Sequence, residues 1–161
     1  MFKIRLLILS LISILHFSCA NNNQSSSYTK LSVDYIGGEY DGLLLSNTLK
    51  SYLNSFKMFD KNSNYQIQAN ISHSSNFFIT NIDNTSDREK ITSNVNINIY
   101  DKEENCITHT LNNNVSQFYI LTSSDKFISN KRAFEAIKIE NTEYLVKKFI
   151  NNLTKDSFVC N

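Results

Sequence analysis

The chain alternates apolar and polar residues in several stretches, a pattern that indicates strands with one covered face. The clearest example runs from Ile91 to Ile99, where isoleucine and valine alternate with threonine and asparagine. The same alternation predicts three further strands, at Leu31–Tyr35, at Tyr65–Ile71 with a weaker continuation to Ile79, and at Ile107–Leu121. Regular alternation is typical of antiparallel sheets that have one face in water.

Two other stretches have helical periodicity, and each carries one apolar stripe. The first helix is predicted over residues 42–56, with the stripe Leu45, Leu49, Tyr52, Leu53 and Phe56. The second is predicted from about residue 131 to residue 153, with the stripe Phe134, Ile137, Tyr144, Leu145, Phe149 and Leu153, and with Lys138, Glu143 and Lys147 off it. The element order is therefore β-α-β-β-β-α. We predict one two-layer α+β domain, a four-stranded, mostly antiparallel sheet with two helices on one face.

The N-terminus has the order of a secretory signal: a basic start, an apolar run and small residues. Lys3 and Arg5 precede the nearly unbroken leucine and isoleucine of Leu6–Leu15, and Ser18 follows. The apolar run is about half the ~20 residues that a transmembrane helix needs, which disfavours an anchor helix. We expect residues 1–18 to be a signal peptide and the protein to be exported.

A cysteine at the signal boundary indicates a lipoprotein, in which Cys19 is lipidated and becomes the new N-terminus. The rival cut falls after Ala20, as an ordinary small-x-small site, and would release a periplasmic protein. We expect lipidation, with residues 19–29 as a flexible tether because Asn21–Ser27 is entirely polar. Residues 30–161 would then form the single domain.

The charge of the mature chain excludes one large class of partners. Without the two basic residues of the signal, 14 basic residues face 15 acidic ones, a net charge of −1. A nearly neutral domain has no global field that attracts nucleic acid, so we expect no nucleic-acid partner and only local anion sites.

Catalytic and metal-binding signals are sparse. His73 lies in a polar stretch, where we expect a solvated side chain. Cys106 and His109 are spaced like a ligand pair, but an offset of three on a strand predicts opposite faces. We expect no enzyme activity, no metal and no cofactor. Cys106 and Cys160 either form a disulfide after export or remain two separate small apolar residues.

Basic residues gather where connections are predicted, and binding residues are often on loops. We predict that these residues bind anions, because arginine can clamp a phosphate bidentately and lysine adds a point charge. For Arg88, between Asp87 and Glu89, a solvated mixed-charge turn is an equal alternative. The candidates are Arg88 and Lys90 before the clearest strand, and Lys126, Lys131 and Arg132 before the last helix.

The chain resembles the lipopolysaccharide-assembly lipoprotein family, LptE, over about residues 31–153. A lipoprotein-like signal, a short strand and an early helix come first, followed by the strand Tyr65–Ile71. Thr85–Asp101 is similar to a family segment in which an arginine precedes a long alternating strand and a hairpin turn. Ala133–Leu153 resembles the closing helix.

The resemblance implies a partner more than a reaction. It implies an outer-membrane lipoprotein on the periplasmic side, plugging an LptD-like β-barrel and helping to place lipopolysaccharide. Arg88 matches the family's basic position before the long strand, while the second basic position falls near Asn130, beside Lys131. The asparagines predicted on the wet sheet face suit a hydrated barrel lumen, but equally an ordinary exposed face; they are Asn94, Asn96, Asn98, Asn112 and Asn114.

Two other functions stay open at this stage. One is a structural or adaptor lipoprotein of another secretion or cell-wall assembly complex, since fold alone does not decide function. The other is a periplasmic hydrolase without a recognisable motif, which would need a pocket where a histidine and acids converge.

Overall fold

The computed structural model describes residues 29–79, 87–121 and 127–153, together with Cys160. The predicted signal peptide, Cys19, most of the predicted tether and Lys126 lie outside these residues. The predicted α+β class and the β-α-β-β-β-α order are confirmed. The elements are β1 (Ser32–Val33), α1 (Glu39–Ser55), β2 (Tyr65–Ile79), β3 (Asp87–Asp101), β4 (Cys106–Ile120) and α2 (Phe127–Leu153).

The four strands form one sheet in chain order, β1-β2-β3-β4. The short strand β1 lies parallel to β2, while β2, β3 and β4 pair antiparallel. Each of these three strands has 15 residues, which corresponds to a length of about 50 Å at the usual rise per residue. The sheet is therefore mostly antiparallel, as predicted.

The core lies between the two helices and one face of the sheet. On β3 every odd-numbered residue from Glu89 to Asp101 is buried, whereas the even-numbered ones face the other side. The helices contact each other over this covered face, and the opposite face, here called the open face, has no helix over it in the described part of the chain. The main apolar core residues are Leu45, Leu49, Leu53, Ile67, Ile97, Ile99, Leu145, Phe149 and Ile150.

The first strand and helix differ from the prediction at their boundary. Tyr35, predicted in β1, is 87% exposed, because β1 already ends at Val33. Helix α1 begins at Glu39 rather than Gly42, and Glu39 and Asp41 favour this start because acids stabilise a helix N-terminus. Glycine at position 42 lets the first turn of α1 pack against the preceding chain, since a Cβ there would lie 2.1 Å from the carbonyl oxygen of Gly37.

Strand β2 is continuous over its predicted range, and β3 is longer than predicted. The two alternating stretches of β2 form one strand that pairs with β3 from Tyr65 opposite Asp101 to Ile79 opposite Asp87. The expectation that residues 87–90 form a turn was therefore wrong. The strand extends because Glu89, on its covered side, accepts a hydrogen bond from the hydroxyl of Tyr119, so that a charged residue can be buried there.

A β-bulge changes the phase of β4 near its start. Thr108 is the extra residue: it is buried, and its hydroxyl donates to the carbonyl oxygen of Ile99 at 3.2 Å. Ile107, predicted on the covered face, instead lies on the open side and is exposed. The same bulge places Cys106 and His109 opposite Asp101 and Ile99 on the covered face, so the expectation of opposite faces was wrong.

The two remaining cysteines form a disulfide. The Cα atoms of Cys106 and Cys160 are 6.0 Å apart and the sulfurs are bonded, which decides between the two alternatives that the sequence left open. The bridge joins the first residue of β4 to the chain beyond α2. Within the described ranges, neither helix is long and apolar enough to span a bilayer.

Candidate functional site

Basic and apolar side chains meet at one end of the open face. The register places Arg88 of β3 between Phe78 of β2 and Ile120 of β4, and Lys90 beside Phe118 of β4. Arg88 and Lys90 are even-numbered residues of β3, whose side chains point to the open face. The other three residues pair directly with them, so all five side chains lie on that face. We call these five residues the open-face cluster.

The cluster combines exposed apolar surface with positive charge. The rings of Phe78 and Phe118 lie edge to face with centroids 5.8 Å apart, and the Lys90 ammonium lies 5.8 Å from the Phe118 centroid. Phe78, Phe118 and Ile120 are 44%, 57% and 64% exposed. Exposed aromatic groups beside a lysine and an arginine suit a ligand that is both apolar and anionic.

A hydrogen bond on the reverse side supports this end of the sheet. Glu89 is buried, and its carboxylate accepts a hydrogen bond from the Tyr119 hydroxyl. Burial, with this hydrogen bond and the negative charge of Glu89, raises the pKa of Tyr119 well above its usual range. Tyr119 therefore stays protonated as a donor, which holds β3 and β4 together below Arg88 and Lys90.

The structure brings together only part of the predicted basic set. Arg88 and Lys90 lie in strand β3, while Lys131 and Arg132 are exposed residues of helix α2, so the expectation that these four lie in connections was wrong. Helix α2 belongs to the layer over the covered face, whereas the cluster is on the open face. Lys126 lies outside the described residues.

The predictions made from the sequence did not include the apolar half of the open-face cluster. Phe78, Phe118 and Ile120 come from strands whose predicted alternation was weak or was followed only on its covered side. Continuing the even phase of β3 back from Asn94 would have found Lys90 and Arg88 on the open face. The pairing register that adds the aromatic residues is not readable from one strand alone.

The predicted asparagine face is confirmed. Asn96 lies between Asn70 and Asn112, and Asn94 lies opposite Asn114. Side chains pair across the strands: the Asn96 amide donates to Asn112, and the Thr110 hydroxyl donates to the Asn98 oxygen at 2.9 Å. The open face is therefore polar and uncharged along most of its length, with the open-face cluster at one end.

A second group of polar side chains lies on the covered face. We call its members, His73, Ser93, Asn141 and Gln117, the His73 network. His73 was expected to be a solvated loop residue, but it is half-buried in β2, and its Nδ1 lies 2.7 Å from the hydroxyl of Ser93. The Asn141 amide donates to Ser93 at 2.9 Å and accepts from Gln117 at 2.9 Å. Burial lowers the pKa of His73, and nearby Asp41 opposes this effect only in part.

An ion pair adjoins this network between the helices. The Lys138 ammonium lies 2.8 Å from Asp41 and 3.5 Å from Glu135. Burial alone would lower the pKa of Lys138, but the hydrogen bond and charge of Asp41, helped by Glu135, raise it above its usual value. Lys138 was predicted off the apolar stripe, but it is buried because Asp41 of the neighbouring helix meets its charge.

The His73 network contains a serine, a histidine and a nearby acid, the groups of a hydrolase triad. Ser93, however, is fully buried and receives the Asn141 amide, so a substrate does not reach its oxygen. The network is better suited to fixing α2 on the sheet. In the described ranges no group of histidine, cysteine and acid residues is arranged to hold a metal ion, and the sulfur of Cys106 is bonded to Cys160.

Two solved structures of bacterial lipoproteins share the backbone fold of this chain. A minor lipoprotein from Acinetobacter baumannii gives a TM-score of 0.58 at 18% sequence identity, covering 79% of this chain and 91% of that chain. Rare lipoprotein B from Shewanella oneidensis gives a TM-score of 0.60 at 9% identity, covering 78% and 92%. This chain has the fold of these lipoproteins.

At such identities the likeness concerns the fold alone. No family model matches the sequence, and no curated protein matches it.

Proposed function

We propose that the protein is a non-catalytic outer-membrane lipoprotein that partners an LptD-like β-barrel in lipopolysaccharide transport and assembly. The observation that carries this proposal is the open-face cluster, where Arg88 and Lys90 stand beside exposed aromatic and aliphatic side chains. Lipopolysaccharide combines phosphate groups with acyl chains, and the cluster offers a partner for each: cations for the phosphates and apolar side chains for the acyl chains.

The rest of the open face supports the barrel partner. A β-barrel lumen wide enough to hold a plug is polar and hydrated, and uncharged amides exchange hydrogen bonds readily with water and with inward-facing residues. The asparagine face meets this requirement without bringing unpaired charge into the lumen. The lipoprotein fold and the signal boundary at Cys19 support attachment to the inner leaflet of the outer membrane by a lipid.

Binding of purified lipopolysaccharide to the mature protein tests the lipid part of the proposal. Arg88→Glu and Lys90→Glu should each weaken binding about tenfold or more, because a hydrogen bond to a charged group contributes roughly 1.5–3 kcal/mol. Lys147→Glu is the matched control, since it makes the same charge change at an exposed position of α2. Equal loss in all three variants would show a response to net charge alone and would contradict the site.

Co-purification from native outer membranes tests the partner. The tagged full-length protein should recover a large β-barrel that stays bound in detergent. Recovery of inner-membrane or peptidoglycan-associated proteins without a barrel would favour the adaptor function instead.

Replacing Cys19 with serine should release the protein from membranes, and an intact mass without acyl chains would contradict lipid anchoring.

A further inference from the structure

The outer side of β4, here called the β4 edge, has no neighbouring strand among the described residues. The 15 residues of β4, Cys106–Ile120, include no aspartate, glutamate, lysine, arginine or proline. Natural sheets usually protect a long edge with such residues, because an exposed edge can pair with another strand. The central strand β3, by contrast, contains five charged residues. The β4 edge is therefore long, uncharged and able to accept a further strand.

The backbone of β4 directs hydrogen-bonding groups to this edge. The N–H of Asn114 donates to the side-chain oxygen of the preceding residue, Asn113, at 3.0 Å, so it points away from β3. Successive residues of a strand direct their backbone groups to opposite sides. The residues in phase with Asn114 therefore present their N–H and C=O groups outwards, and these include Thr110, Asn112 and Ser116. A strand added there would leave the ladder between β3 and β4 intact.

The side chains of β4 are chemically symmetric about Asn113. Residues at equal distances on its two sides match as amides, as aliphatic side chains, as hydroxyls and as larger polar side chains. From the centre outwards, the pairs are Asn112 with Asn114, Leu111 with Val115, Thr110 with Ser116, and His109 with Gln117. An antiparallel copy of the same strand, related by a two-fold axis at Asn113, would place each residue opposite its chemical match. Such self-complementarity is what a two-fold symmetric contact requires.

The apolar residues of the β4 edge favour this position of the axis. Leu111 and Val115 lie on the covered face and are partly buried, whereas Ile97, opposite Leu111 on β3, is fully buried. With the axis at Asn113, Leu111 lies beside Val115 of the second copy, and both lose further contact with water. An axis one residue away in either direction would place Asn113 opposite one of these aliphatic side chains.

We infer that the protein, when free of other partners, forms a two-fold symmetric dimer in which the β4 strands of two copies pair antiparallel over residues 109–117. The two four-stranded sheets then become one continuous sheet. The contact stops at two copies, because it occupies the β4 edge of both. It involves a sheet edge and not the open-face cluster, and thus goes beyond the proposed function without depending on it.

One cation lies beside the axis. The ammonium of Lys148 is 3.2 Å from the side-chain oxygen of Asn113, and the two-fold axis would bring its counterpart to the same side of the sheet. Two like charges near the axis repel each other, and salt screens this repulsion. Added salt should therefore strengthen the dimer. Dissociation on adding salt would indicate attraction between opposite charges on another surface and would overturn the inference.

Sedimentation equilibrium of the mature chain with Cys19→Ser, which removes the lipid attachment, measures the association. A contact limited to one strand from each copy is small, so we expect a reversible dimer in the micromolar range. Asn114→Pro removes an outward N–H, which a proline at a sheet edge permits, and symmetry repeats the loss. The dimer should therefore weaken about tenfold or more. Asn114→Ala keeps the N–H and, as the matched control, should dimerise as the parent does.

A disulfide across the axis tests the register independently of the proline variant. Directly opposite residues of antiparallel strands have Cα atoms about 4.5–5.5 Å apart, within the range of a disulfide. Asn113→Cys should therefore give disulfide-linked dimers on mild oxidation. Ser116→Cys is the control on the same strand, since its counterpart would lie six residues along the pair, about 20 Å away. Equal yields of linked dimer from both variants would contradict the register.

The outcomes separate this inference from the proposed function. A parent protein that stays monomeric through the micromolar range would overturn the dimer, as would equal association of Asn114→Pro and Asn114→Ala. A monomeric parent whose Asn114→Pro variant no longer recovers a β-barrel would assign the β4 edge to the barrel instead. Lipopolysaccharide binding that depends on Arg88 and Lys90 would be unaffected by any of these results.

Discussion

Removing the bridge between Cys106 and Cys160 should destabilise the domain by a large fraction of its total stability. The two cysteines are 54 residues apart, and closing a loop of that length restricts the unfolded chain by about 4 kcal/mol in the chain-entropy model. Cys160 is exposed and follows the last core residue of α2, Leu153. Cys160→Ser should therefore leave the packing unchanged, so that the loss comes mainly from the unfolded state.

Urea unfolding of the mature protein, followed by circular dichroism, measures this loss. Cys160→Ser, Cys106→Ser and the parent protein in reducing agent should all lose about the same free energy of unfolding, because each lacks the same bridge. A loss below about 1 kcal/mol would refute the entropic reasoning. Alkylatable thiols at both Cys106 and Cys160 in the protein purified without reducing agent would refute the bridge itself.

Two further predictions concern the covered face. Tyr119→Phe leaves the buried carboxylate of Glu89 without its donor, and urea unfolding should show a loss of about 1–3 kcal/mol; an unchanged midpoint would mean that water replaces the hydroxyl. Because burial depresses the pKa of His73 below its unfolded value of 6.5, the unfolded chain binds the proton more readily. Stability should therefore be complete above about pH 6.5 and fall as the pH drops from there towards the folded pKa, and His73→Gln should remove that part of the pH dependence. The same pH dependence in His73→Gln would assign it to other groups.

The fold was predictable because its periodic patterns are strong. The alternation from Ile91 to Ile99 and the apolar stripe ending in Phe149 and Leu153 each bury one side of an element. When one face of a strand or helix is buried, apolar residues recur along the sequence with the period of that element, so the pattern shows which face is covered. The class, the order and the covered face of the sheet followed from these patterns.

The departures come from contacts between elements that are distant in sequence. From the sequence alone Glu89 was predicted in a turn, because its hydrogen-bond partner, Tyr119, is on the next strand. His73 reads as solvated until Ser93 lies opposite it across the β2–β3 ladder. One extra residue, Thr108, reverses the faces of the residues before it. Each of these depends on register, which a single strand does not specify.

The candidate site was therefore only half predictable. Basic residue type pointed to Arg88 and Lys90, but also to Lys131 and Arg132, which the fold places in the other layer. The aromatic partners that make the cluster amphipathic depend on how β2 and β4 pair with β3. Charge can be read from sequence, whereas the combination of charge with apolar surface needs the sheet.

Photo-crosslinking in the native envelope tests the central claim most directly. A photoreactive phenylalanine analogue would replace Phe118 in the open-face cluster or, as the control, Tyr144, which is exposed on α2 in the other layer. After irradiation, we expect an adduct carrying lipopolysaccharide from position 118 and none from position 144. Absence of the adduct at position 118, or adducts of equal yield at both positions, would contradict the claim that the open face carries this lipid.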